Sequence, residues 1–307
     1  MVCALALLSA SAVHAQPPIA PPPPADASQP ADLTDAFQRL LQAAVAGDAK
    51  AQFAVGLIYE NGEGVPRDYT KAVEWYRRSA AQNNPEGMRA MGVMSAFGLG
   101  TEQDFNAAFQ WYLAAVAFND PIAENNLGVL YQRGNGVAVD DEQAAYWYQR
   151  SADHGHPRAL ANLGALYLHG QGVAKDEAKG VALIRQVAES GDEGAMYDLA
   201  RAYKFGDGVA QDDDEALSWL QRGARGGHAV AAHTLGGVYL EGDGVKRDPQ
   251  EALVWFIVAD ARMVFNGRTP EERKEYTHDT DALIRALTRA QVEAARRRAE
   301  QILSDIP

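Results

Sequence analysis

A pair of glycines separated by one residue recurs every 36 positions along most of the chain. The six pairs are Gly62/Gly64, Gly98/Gly100, Gly134/Gly136, Gly170/Gly172, Gly206/Gly208 and Gly242/Gly244. A fixed period of this size is typical of solenoids, in which each small repeat buries its apolar face only against its neighbours. The period therefore predicts one elongated repeat domain and argues against a single globular core.

Each period reads as two helices joined by the glycine turn. Ala51 and Val55 begin a helix whose apolar residues lie three and four apart, and Gly62 ends it, because glycine adopts the left-handed cap conformation without strain. Asp68 starts the second helix as a carboxylate cap, and Trp75 lies on the face predicted to be buried. The aspartate recurs as Asp104, Asp140, Asp176, Asp212 and Asp248, and the tryptophan as Trp111, Trp147, Trp219 and Trp255, with Leu183 in repeat four.

Repeat three carries the fullest version of the pattern, through Ala123, Leu127, Gly128, Tyr131, Gly134, Gly136, Val137, Asp140, Ala144, Trp147, Tyr148, Ala152 and Gly155. These residues resemble the Sel-one-like repeat family, a 36-residue relative of the tetratricopeptide repeat with exported bacterial members. The resemblance covers residues 51–266. It implies an all-α, right-handed α/α superhelical solenoid of six helix-turn-helix repeats with capping helices. Repeat two departs most from the pattern, with Ser95 in place of the tyrosine and Thr101 in place of the valine.

The flanking segments complete the predicted organisation. Residues 1–15 read as a signal peptide cleaved after Ala15, because a short apolar run precedes small residues at the cleavage positions. The expected basic start is missing, since Arg39 is the first Lys or Arg, and an Ala-rich leader without a targeting role is the alternative. Residues 16–33 form a proline-rich linker, 34–50 a capping helix and 267–307 C-terminal capping helices. A periplasmic or secreted location is therefore expected.

Composition limits the chemistry that the chain can perform. The net charge of −13 opposes binding to nucleic acid, and no segment has the ~20 apolar residues of a transmembrane helix. Cys3, in the leader, is the one cysteine, which leaves the mature chain without a disulfide or a thiolate ligand. No hydrolase, zinc or phosphate-loop motif occurs, so we predict no catalytic, cofactor or metal residues. His154 and His156 are interpreted as surface residues rather than metal ligands.

The resemblance to tetratricopeptide arrays implies that the first helix of each repeat lines a concave surface. The columns of this face collect six basic residues (Lys50, Arg89, Arg133, Arg158, Arg201 and Lys204) and three acidic ones (Glu60, Glu86 and Glu241). This excess on an acidic chain favours a groove for an acidic or C-terminal peptide segment, and a chance distribution of charge is the alternative. The candidate partner-binding residues are Arg89, Asn125, Arg133, Arg158, His169, Tyr197, Arg201, Lys204, Phe205 and His233.

The predicted function is a non-enzymatic interaction scaffold, adaptor or regulator in the bacterial cell envelope, with a protein or peptide as partner. The family resemblance implies roles in envelope signalling, exopolysaccharide control or host interaction. Two alternatives stay open. A cysteine-rich branch of the family is associated with β-lactamase or penicillin-binding activity, although the missing cysteines argue against it. A cell-wall glycan binder that uses exposed tyrosines is the other.

Overall fold

The computed structural model describes residues 31–265 and 270–306, and within these ranges it contains helices and no strand. Residues 1–30, which hold the predicted leader and most of the proline-rich linker, lie outside the described residues. The helices are α1 (Ala31–Val45), α2 (Ala49–Asn61), α3 (Tyr69–Ala80), α4 (Pro85–Phe97), α5 (Phe105–Val116), α6 (Pro121–Arg133), α7 (Asp141–Asp153), α8 (Pro157–His169), α9 (Glu177–Glu189), α10 (Glu193–Phe205), α11 (Asp213–Gly226), α12 (Ala229–Glu241), α13 (Pro249–Phe265), α14 (Pro270–Ala286) and α15 (Arg289–Asp305).

Six helical hairpins make up the body of the molecule. They are α2/α3, α4/α5, α6/α7, α8/α9, α10/α11 and α12/α13, and the second helix of each hairpin packs against the first helix of the next. Helix α1 covers the amino-terminal end through α2, and α14 and α15 cover the other end through α13. The predicted all-α solenoid of six repeats with capping helices is thus confirmed.

The two glycines of each pair have different tasks. The first glycine caps the preceding helix: Gly62 has φ of 76°, and its N–H donates to the Ile58 carbonyl at 2.8 Å. In repeats two to five the second glycine combines a positive φ with close contact to the previous repeat. A Cβ on Gly172 would lie 2.0 Å from the Asp141 carbonyl oxygen at the start of the previous repeat's second helix. Only glycine therefore allows neighbouring repeats to approach at this point.

The aspartate of each repeat caps the second helix, as predicted. The Oδ1 atom of Asp140 accepts a hydrogen bond from the backbone N–H of Gln143 at 2.9 Å. The same bond, three residues along, occurs in all six repeats at 2.9 to 3.0 Å. Because this bond satisfies a backbone donor that has no partner inside the helix, it defines where the second helix starts.

Tyrosines, more than tryptophans, fill the core of the first three hairpins. Tyr76 and Tyr148 are fully buried, whereas the neighbouring Trp75 and Trp147 are only half-buried. Each tyrosine ring contacts a glycine in the first helix, and a Cβ on Gly128 would meet the Tyr148 ring at 2.5 Å. The glycine thus sets how closely the two helices of a hairpin approach. The tryptophans of the last two repeats, by contrast, are buried.

The buried apolar residues form four separate clusters along the solenoid. The smallest lies at the amino-terminal end and holds Ala44, Ala51 and Val55. The second cluster extends from α3 to α6, and the third lies in α7 and α8. The largest extends from Val181 to the closing helix α15, where it includes Ala299. Stability is therefore distributed unevenly along the chain, as expected when each repeat contacts only its neighbours.

Candidate interaction surface

All ten predicted partner-binding residues lie on the first helices of hairpins. They are distributed over α4 (Arg89), α6 (Asn125, Arg133), α8 (Arg158, His169), α10 (Tyr197, Arg201, Lys204, Phe205) and α12 (His233). The geometry divides this set into residues that connect repeats and residues whose side chains are exposed.

Arg89 and Asn125 each connect one repeat to the next. The Nε atom of Arg89 lies 3.1 Å from Oδ2 of Asp120, the residue that caps α6. Asn125 is buried, and its Oδ1 accepts a hydrogen bond from Nδ2 of Asn162 in α8 at 2.8 Å. Both side chains therefore have a structural partner on the following first helix.

Lys204 connects three segments of the chain. Its Nζ lies 3.2 Å from Oδ1 of Asp213 at the start of α11, and 2.9 Å from Oδ2 of Asp243 in the glycine turn of repeat six. Partial desolvation lowers the pKa of Lys204, but the hydrogen bonds to the two carboxylates outweigh it, and the net pKa is raised. Since Arg89 and Lys204 are both ion-paired, part of the basic excess counted in the columns is neutralised.

Two aromatic candidates pack within the solenoid. The rings of Tyr197 and His228 have centroids 5.3 Å apart, and Nδ1 of His228 accepts from the Ala231 N–H at the start of α12. His233 is half-buried, with its ring centroid 5.0 Å from that of Phe256. These contacts hold α10, α12 and α13 together.

The exposed candidates share one position, the residue directly before the capping glycine. Arg133, His169 and Phe205 occupy it in repeats three to five, and Phe97 occupies it in repeat two. Equivalent positions of stacked repeats follow one another along a solenoid. We call these four residues the terminal-turn row. Phe97 is 46% exposed and Phe205 50% exposed, which makes the row partly apolar.

A buried carboxylate in repeat three was not predicted from the sequence. Glu124 in α6 is fully buried. Its Oε1 lies 2.7 Å from Nε of Arg150 in α7, and its Oε2 lies 2.8 Å from Nδ1 of His154, the residue that directly follows α7. The equivalent residues of repeat one form a neutral pair, in which Nε2 of Gln82 donates to Oε1 of Gln52 at 2.7 Å. A glutamate in a column that otherwise holds uncharged residues was the available signal.

His154 therefore pairs with a carboxylate, while His156 lies at the start of α8 without making a side-chain cap. No cluster of three or more potential metal ligands occurs within residues 31–265 and 270–306. Among the helices in these same ranges, none combines the length and apolar character needed to cross a membrane.

Comparison with known proteins gives a consistent result. The Sel1 repeat model matches residues 49–84, 85–117, 121–156, 157–192, 194–228 and 229–259. The solved Sel1 repeat protein from Oxalobacter formigenes is 31% identical with a TM-score of 0.69, and the match covers 74% of this chain and 91% of that one. No curated protein shows significant similarity.

More distant solved structures share lower similarity. A protective antigen of uropathogenic Escherichia coli with an SLR fold is 22% identical, with a TM-score of 0.44 over 88% of this chain and 79% of that one. An immunity protein from Pseudomonas aeruginosa is 20% identical, with a TM-score of 0.45 over 85% and 84% of the two chains. With six matched repeats and a well-covered relative, the chain belongs to the Sel1 repeat family.

Proposed function

We propose that this protein is a non-enzymatic scaffold of the bacterial cell envelope that holds an extended segment of a partner protein along the terminal-turn row. The observation that carries the proposal is the exposure of two phenylalanines, Phe97 at 46% and Phe205 at 50%, at equivalent positions of a repeat array. Exposed aromatic side chains are typical anchors of protein interfaces, because they bury a large apolar area at little entropic cost.

The general class of function follows from the family. Sel1 repeat proteins are generally protein-interaction scaffolds, and the fold is typically non-enzymatic. What is proposed for this chain in particular is the surface, the partner's chemistry and the location.

The row also suggests the kind of segment that would bind. Between the two phenylalanines lie the basic Arg133 and the polar His169, so apolar anchors that flank an acidic stretch would be complementary. Phe97 and Phe205 are three repeats apart. If neighbouring first helices are about 10 Å apart, the row spans roughly 30 Å, which about nine extended residues would cover.

Site-specific photocrosslinking in a bacterial host tests the surface. p-Benzoylphenylalanine would replace Phe97 or Phe205, and a matched control would carry it at Val139, which is 63% exposed in the turn between α6 and α7. We expect one partner to crosslink at both row positions through one segment. Equal crosslinking at Val139, or different partners at the two row positions, would refute the proposal.

Affinity for the crosslinked partner then tests the energetics. Phe97→Ser and Phe205→Ser should each weaken binding by roughly tenfold, whereas Val139→Ser should leave it unchanged. Lys204 is a poor choice for charge reversal, because a glutamate there would face Asp213 and Asp243 and disturb the fold. Phenylalanine variants avoid this difficulty because both rings already face solvent.

The location rests on the leader. The apolar run from residue 2 to residue 12 and the small residues up to Ala15 support export through a cleaved signal peptide. Cell fractionation, together with sequencing of the mature amino terminus, tests this. A chain that stays in the cytoplasm with an intact leader would contradict the envelope role while leaving the binding surface intact.

A further inference from the structure

Repeat two lacks an aromatic ring that the other five repeats place at the same backbone position. The rings belong to Tyr59, Tyr131, Tyr167, Tyr203 and Tyr239, all half-buried against the apolar clusters. In repeat two the residue is Ser95, whose side chain is far smaller. The missing ring therefore leaves unfilled space unless the backbone closes over it.

The backbone does not close over it. The carbonyl of Ser95 accepts a hydrogen bond from the N–H of Asp104 at 2.8 Å, as the carbonyl of Tyr131 does from Asp140 at 3.0 Å. The next turn of repeat two thus keeps the register of the other repeats, and the space stays open.

An open cavity of about 510 Å³ occupies this place. Arg77 of α3, Met91 and Ser95 of α4, Thr101 of the glycine turn and Trp111 of α5 contribute to its walls. Thr101 is exposed, whereas the valines at its position in the other repeats are half-buried. The volume lies within the ~300–1,000 Å³ typical of ligand pockets. We call this space the repeat-two cavity.

A contact in repeat five indicates which side chain the walls of the repeat-two cavity can bind. Arg185 precedes Tyr203 by 18 positions; its Nη2 donates to the tyrosine hydroxyl at 2.8 Å, and its guanidinium carbon lies 5.4 Å from the ring centroid. Arg77 precedes Ser95 by the same interval and lines the cavity. The repeat before repeat two has therefore kept the guanidinium, as the repeat before repeat five has, but repeat two lacks the ring that would pair with it.

We propose that the repeat-two cavity binds a tyrosine side chain of a partner polypeptide, with the phenol hydroxyl accepting a hydrogen bond from Arg77. The cavity walls also carry Glu102 and Asp104, which would repel a carboxylate. A neutral phenol avoids that repulsion, and its hydroxyl is both an acceptor for the guanidinium and a donor to a carboxylate.

This site is distinct from the terminal-turn row. Ser95 and Phe97 are two residues apart on α4, which places their side chains about 200° apart around the helix axis. The cavity is thus a second contact surface, and it does not depend on the function proposed for the row.

Binding of small probes to the full chain tests the proposal. N-acetyl-L-tyrosinamide would be titrated into ¹⁵N-labelled protein while the indole N–H of Trp111 is followed by NMR. We expect a saturable shift with a dissociation constant on the order of millimolar, since a single side chain contributes little affinity. N-acetyl-L-phenylalaninamide should bind roughly five- to tenfold more weakly, because it lacks the hydroxyl.

Variants assign the site. Ser95→Tyr supplies the missing ring, so it should abolish probe binding and raise the melting temperature. Arg77→Gln should remove the preference for tyrosinamide over phenylalaninamide. The matched control Arg185→Gln, whose guanidinium already pairs with Tyr203, should leave probe binding unchanged.

Three results would overturn the proposal. One is probe binding by Ser95→Tyr that equals that of the wild type. Another is the same affinity for the two amides in the wild-type chain, which remains decisive if Ser95→Tyr does not fold. The third is p-cresol binding as tightly as the tyrosine amide, which would assign the cavity to free phenols instead of a polypeptide.

Discussion

Two adjacent glycines in α12 should respond in opposite ways to replacement by alanine. A Cβ on Gly236 would lie 2.7 Å from Cδ1 and Cε1 of the Phe256 ring, whereas a Cβ on Gly237 has no atom within 4 Å. Gly237→Ala should therefore stabilise the protein by up to ~1 kcal/mol, because alanine is the better helix former and displaces nothing. The two glycines are neighbours in one helix, so the contact with Phe256 is the main difference between their surroundings.

Gly236→Ala brings the same gain in helix propensity, but it also creates a steric clash. Carbon atoms pack best at about 3.5–4.0 Å, so the ring would have to retreat by about 1 Å. Phe256 is only 1% exposed and has no room to move. Overpacking of this kind costs about 1–3 kcal/mol. The free energies of unfolding of the two variants should thus differ by roughly 1–3 kcal/mol, with Gly236→Ala the less stable.

Urea unfolding of the full chain, followed by far-UV circular dichroism, measures the difference. Repeat arrays do not always unfold in one step, but both substitutions lie in one helix and report on the same unit. A Gly236→Ala variant as stable as Gly237→Ala would refute the conclusion that the ring sets the distance between the helices.

The fifth repeat provides a compensating combination. There the equivalent positions hold Ala200 and Leu220, both buried. The double variant Gly236→Ala/Phe256→Leu should therefore lose less stability than the sum of its two single changes. If the free-energy losses of the two single variants simply add in the double variant, direct contact between the two positions would be ruled out.

Three further predictions concern a cap, a buried charge and a histidine. Asp140→Ala should lower the free energy of unfolding by about 1 kcal/mol in urea titrations, whereas Glu142→Ala, which removes no cap, should have little effect. Glu124→Ala should lower the free energy of unfolding by about 1–3 kcal/mol, and Glu124→Gln should lower it less, both measured in urea titrations. The loss stays within this range because Arg150, which loses its carboxylate partner, is 32% exposed and remains partly hydrated. Burial lowers the pKa of His156 below 6.5, so the unfolded state binds the proton more readily, and stability should fall as the pH drops through 6.5. His156→Asn should show a smaller fall in urea midpoint over that window.

Local chemistry explains why much of the fold was predictable. The capping glycines and aspartates act within one turn of their own position, so their spacing alone indicates where helices end and begin. The pairing of Gly128 with Tyr148 also leaves a trace in the sequence, because glycine and tyrosine keep this spacing through the first three repeats. Its meaning depends on how closely two helix axes approach, which the residue pattern does not specify.

The interaction surface was less predictable, because its contacts join different repeats. Arg89 and Lys204 look like free cations in a column of residues. Their carboxylate partners are a helix cap and a turn residue of the following repeat. Which side chains meet there depends on the stagger between hairpins. Glu124 presents the same difficulty, because its partner His154 lies 30 residues away and the other five repeats have an uncharged residue at the position of Glu124.

The division of the core into four clusters makes the two ends of the molecule unequal in their resistance to unfolding. The amino-terminal cluster contains three buried residues, which lie in α1 and α2, so detaching α1 exposes little apolar surface. Removing α15 instead uncovers Val292, Ala295 and Ala299, which belong to the largest cluster. Under tension or proteolysis, unfolding should therefore begin at the amino-terminal end, while the final repeats and their closing helix stay folded.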